Sequence, residues 1–109
     1  MIRIPDEHVE HAFDVLKSGD HASARAAYEF SEKQLKVTLA KEMLTANGKT
    51  VGEREATALA SHGYEKALVA YRHVAATYYR ERDRREAASA IIDAYRTQQS
   101  DYRAMGKVG

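Results

Sequence analysis

The chain has 109 residues, 30% of them charged, with one proline, no cysteine and a formal net charge of +1. That length allows one small domain, and the excess of Ala, Glu, Arg and Lys belongs to long helices rather than sheets. Without cysteine there are no disulfides or thiolate metal sites, no apolar run approaches the roughly 20 residues that span a bilayer, and MIRIPDEHVEH at the start lacks the apolar core of a secretory signal. The expectation is a soluble cytoplasmic protein in a reducing compartment, with no membrane partner.

Aliphatic side chains are sparse, and much of the apolar fraction is alanine and tyrosine. A monomer of this size buries a modest core, so self-association is expected. The net charge hides an asymmetry: residues 1–63 carry 8 Lys/Arg against 10 Asp/Glu, and residues 64–109 carry 9 against 6.

In chain order, a short amphipathic helix is predicted at about 5–18. Pro5 suits its first position, Asp6 and Glu7 favour the positive end of its dipole, and Gly19 follows as a stop. Val9, Ala12, Phe13 and Leu16 form its apolar stripe. Asp20 then caps a second helix over 21–46, ended by a left-handed Asn47-Gly48. That helix carries two stripes, Tyr28-Leu35-Leu39-Met43-Ala46 and Phe30-Val37-Leu44, which implies two buried flanks.

Thr50-Val51-Gly52-Glu53 reads as a capping box opening a helix over 51–104, with a weak point at Ser61-His62-Gly63. The tail 105–109 is expected to be mobile. In the last helix one heptad position collects Tyr64, Tyr71, Tyr78, Arg85, Ile92 and Gln99, and a second, three residues on, collects Ala67, Val74, Glu81, Ala88, Tyr95 and Tyr102. Such spacing predicts a coiled-coil or bundle seam. At ~1.5 Å per residue the second helix is shorter than 64–104, so part of the seam needs other cover, and another chain is the favoured source. The expected fold is all-α: one domain over 1–109, made of an N-terminal helix (1–19), a long antiparallel helical hairpin (20–104) and the tail, and oligomeric through Tyr71, Val74, Tyr78, Glu81, Arg85, Ala88, Ile92 and Tyr95.

The stretch TYYRERDRREAAS (77–89) is the densest in charge. Glu81 and Arg85 fall on seam positions one turn apart, where charges set register and partner choice. Arg80, Arg82 and Arg84 point away from the seam toward a phosphate backbone. Tyr79 beside them offers a ring for base stacking, and Arg96 and Arg103 lie further along. His8 and His11, with Glu7 and His21 nearby, lack a metal-protease pattern and read as surface histidines. No Gly-rich phosphate loop, nucleophile elbow or cysteine nucleophile occurs, so no catalytic residue, metal or cofactor is assigned and an enzyme is not expected.

KVTLAKEMLTANGKTVGEREATA (36–58) and AIIDAYRTQQSDYRAMG (90–106) resemble small helical proteins encoded in the recombination and replication gene clusters of tailed bacteriophages. The group is loosely similar to phage recombination mediator proteins, which oligomerise and bind single-stranded DNA. The resemblance implies a bacterial host cell, and a non-enzymatic accessory protein whose partners are itself, single-stranded DNA or a phage recombination protein. The other reading is a protein that blocks a host or defence protein through its tyrosine-rich helical surface.

Overall fold

The computed structural model describes residues 3–108, with side chains through 106. Four helices follow in order: α1 (Asp6–Lys17), α2 (Asp20–Thr45), α3 (Val51–Leu59) and α4 (His62–Val108). No strand occurs among the described residues.

The helix ends show where local chemistry acts. Pro5 precedes α1 at the cap position rather than opening it, and Asp6 and Glu7 fill the first turn, where carboxylates meet unpaired backbone N–H groups. Ser18 ends the helix in an extended conformation; its N–H bonds the Asp14 carbonyl and its hydroxyl the Val15 carbonyl, each at 2.9 Å. Asp20 is already the first residue of α2.

The left-handed stop expected at Asn47-Gly48 does not form, since no described residue has a positive φ. Gly48 answers a different demand. A Cβ there would lie 3.0 Å from Glu53 Cβ and 3.2 Å from the Arg54 backbone nitrogen, so glycine makes room for the chain to press against the start of α3. Half of the capping box forms as written: Thr50 Oγ1 accepts from the Glu53 N–H at 3.1 Å. The other half shifts by one residue, with the Glu53 carboxylate accepting from the Lys49 N–H at 2.7 Å.

The break in the long C-terminal segment is the work of Ser61. Its hydroxyl donates to the Ala58 carbonyl at 2.6 Å, closing α3, and accepts from the Tyr64 N–H at 3.1 Å, opening α4. One side chain satisfies both helix ends, and Gly63 lies inside α4. At the far end α4 runs to Val108, so the predicted tail is helical over 105–108, and Gly109 lies outside the described residues. Gly106 costs a helix roughly 1 kcal/mol relative to alanine, too little to stop one this long.

The chain divides into two compact units, residues 1–21 with 80–109, and residues 22–79; α2 and α4 contribute to both. In the first unit Val9, Ala12 and Val15 of α1 bury against Ala88 and Ile92 of α4, with Ile4, Leu16, Ile91 and Tyr95 at the margin. The α1 stripe is thus rotated from the one expected: Val15 enters the core and Phe13 is exposed. The Ile4 N–H donates to the buried Gln98 Oε1 at 3.1 Å.

In the second unit one flank of α2, carrying Tyr28, Leu35, Leu39 and Met43, is half-buried. The other expected stripe is not covered: Phe30 is 66% exposed, Val37 44% and Leu44 86%. These residues sit about half a turn round the helix from the half-buried flank, beyond the reach of the elements packed on that flank.

Candidate functional site

In the second unit four tyrosines converge. The Tyr28 ring stacks on Tyr78 with centroids 4.7 Å apart and meets Tyr79 edge-on at 5.9 Å, while Tyr78 and Tyr79 approach to 5.4 Å. Tyr71 donates to the Tyr28 hydroxyl at 3.2 Å, and the Tyr79 hydroxyl lies 3.5 Å from it. The Tyr28 phenol is pushed well above its ordinary pKa by its hydrogen-bonded neighbours, Tyr71 first, then Tyr79 and the Glu32 carboxylate. Aromatic pairs in such offset and edge arrangements add about 0.5–1.5 kcal/mol each beyond area burial. The arrangement is a packing device between α2 and α4. Among the described residues no three His, Asp or Glu side chains group as a metal site.

This cluster, with the α1 core, accounts for most of the residues expected at an oligomer seam. Tyr71 and Tyr78 meet α2 of their own chain, and Val74 lies half-buried on the same face. In the first unit Ala88, Ile92 and Tyr95 are covered by α1, the helix the length comparison passed over in favour of another chain. Glu81 is also half-buried, 3.4 Å from Arg84. Arg85 departs from the seam and is exposed. Its position lies on the margin of the buried face, from which the long arginine stem carries the guanidinium to water.

The first unit also holds all six arginines singled out in the sequence, and it separates them. Arg84 is tied down, with Nη1 3.4 Å from both the Asp20 and Glu81 carboxylates. Arg80 is exposed on that same side of α4. Arg82, 3.3 Å from Asp83, falls on the opposite side. There it is joined by Arg85, Arg96 and Arg103, since spacings of 3, 11 and 7 residues return to one flank of an α-helix. All four are exposed. Together they mark about 32 Å of helix, at ~1.5 Å per residue. Ser89 and Ser100 lie between them, and Glu86 and Asp93 border the flank. At its N-terminal end, Arg82, Arg85, Ser89 and Asp93, with His21 of α2, line an open hollow of about 440 Å³.

Sequence reasoning missed the Arg85 member of this flank because heptad counting assigned it inward, although its spacing to Arg96 and Arg103 was a readable signal. It also missed Tyr28 as the hub of the cluster, having placed it only as one apolar position on α2. Tyr79 is exposed at the edge of that cluster, in the second unit.

Among the described residues no helix is long and apolar enough to cross a membrane. No protein-family model, curated protein or solved structure matches the chain.

Proposed function

We propose that the protein is a non-enzymatic helical accessory protein that assists DNA recombination or replication by holding single-stranded DNA along the arginine flank of α4. The observation that carries this reading is the exposed alignment of Arg82, Arg85, Arg96 and Arg103 on one side of one helix. A guanidinium presents a fork of donors suited to phosphate oxygens, and a rigid helix fixes the spacing of the four. The alternation with serines and the acids at the border keep the contact modest and reversible. The tyrosines support this reading less than the arginines do, because Tyr28, Tyr71 and Tyr78 already meet one another.

Four phosphate contacts on a single strand give a slope of about −3 for log affinity against log salt. Fluorescence anisotropy with a labelled oligodeoxynucleotide measures it. Reversing Arg85 and Arg96 together to glutamate should weaken binding by about tenfold or more and flatten the slope, whereas reversing Arg84, held by Asp20 and Glu81, should change it less. Wild-type affinity in the Arg85/Arg96 double variant would refute the reading.

A further inference from the structure

We infer that the hollow at the N-terminal end of the arginine flank is a subsite for one nucleotide whose base carries an amino group, with Asp93 as the residue that reads it. The inference rests on the proposed holding of single-stranded DNA along the same flank, and adds a base preference to it.

The lining divides by charge. Arg82, Arg85 and Glu86 stand at one end of the hollow and Asp93 at the other, with Ser89 between them. From Arg85 to Asp93 is eight residues, or about 12 Å of helix. The volume of about 440 Å³ falls in the range that small ligands occupy. A simple anion does not suit this lining, because two carboxylates oppose the two guanidiniums. A ligand with an anionic end and a hydrogen-donating end does. A nucleotide has both. Its phosphate suits the guanidinium forks and the Ser89 hydroxyl, and the edge of its base is open to side chains when the strand is single.

The chemistry of Asp93 selects the base. An ionised carboxylate only accepts hydrogen bonds. Cytosine presents an amino group where thymine presents a carbonyl oxygen, so a carboxylate attracts the first and repels the second. Asp93 is exposed and takes part in none of the ion pairs among the described residues, which leaves its carboxylate available. Arg82 lies 3.3 Å from Asp83, an exposed pair that opens at little cost. His21 adds a planar ring to the same hollow, of the kind on which unpaired bases stack. The line of exposed arginines also stops here, because Tyr78, seven residues before Arg85, is stacked on Tyr28.

Deoxycytidine and deoxythymidine monophosphates test the subsite apart from the strand, since they need no more of the flank than the hollow. In an NMR amide titration the cytidine nucleotide should shift Arg85, Ser89 and Asp93 and bind about fivefold tighter than the thymidine one. Fluorescence anisotropy with oligodeoxycytidine and oligodeoxythymidine of equal length should show the same preference. Asp93→Asn should erase it with an unchanged circular dichroism spectrum, because an amide also donates to the thymine carbonyl. Monophosphates that bind equally, or not at all, would overturn the subsite, as would a preference that survives Asp93→Asn. Strands bound with equal affinity would overturn the subsite and leave the proposed function standing. If no strand binds, the proposed function fails and the monophosphates alone decide the subsite.

Discussion

The Tyr71 hydroxyl donates to the Tyr28 hydroxyl at 3.2 Å, so α2 and α4 are joined by two phenols as well as by the Tyr28–Tyr78 stack. That link has a pH signature. Tyr28 is held protonated above its ordinary value of about 10. Its contribution is complete below that value and is lost as pH rises past it, because the unfolded chain then releases a proton that the folded chain keeps. Urea midpoints should fall between pH ~9 and ~11, and fall less in Tyr28→Phe. Tyrosinate absorbance of the folded protein should show Tyr28 resisting ionisation; equal pH dependence in both proteins would refute the assignment.

Thr50→Ala should destabilise by about 1 kcal/mol through loss of the Glu53 N–H acceptor. Its denaturation midpoint reports the effect directly, and an unchanged midpoint would mean the cap contributes nothing.

Gly48 and Gly63 should respond oppositely to alanine. At Gly48 the new methyl meets Glu53 Cβ and the Arg54 backbone, which cannot move aside, so a loss of about 1 kcal/mol or more is expected. At Gly63 the obstacle is the end of the Glu42 side chain, which can rotate away, and the helix gains up to about 1 kcal/mol. Thermal melts of the two variants should therefore shift in different directions.

Ile92 is 3% exposed in the cluster with Val9, Ala12 and Val15. Ile92→Ala should lower stability by about 2–4 kcal/mol, against less than about 1 kcal/mol for the exposed Phe13→Ala. Chemical denaturation of both variants ranks them; equal losses would place the core elsewhere.

Much of the fold was legible because helix signals are local. The acidic first turn of α1, the Thr50 cap and the weak point near Ser61 are each written within a few residues of where they act. Side-chain partners were harder to read, because they depend on which helix arrives. Val15 and Phe13 both lie near the edge of an apolar stripe, and only the direction from which α4 meets α1 decides between them. The heptad through Tyr71, Tyr78 and Ile92 was found correctly, but periodicity does not say whether the neighbour is the same chain. Arg85 shows a further limit: a position at the margin of a buried face holds a long side chain whose head reaches water.

The Ile4 N–H and Gln98 Oε1 join residues 94 positions apart. Residues 22–79 are contiguous, whereas the first unit assembles residues 1–21 with 80–109. During synthesis, therefore, α1 is made well before the part of α4 that covers it. Its Val9, Ala12 and Val15 have no Ala88 or Ile92 to meet until α4 has emerged. The contiguous unit has all its partners earlier, at the smaller entropy cost of shorter loops. The amphipathic first helix thus spends its early life with an uncovered apolar stripe, the stage at which such a chain is most open to chaperones and to aggregation.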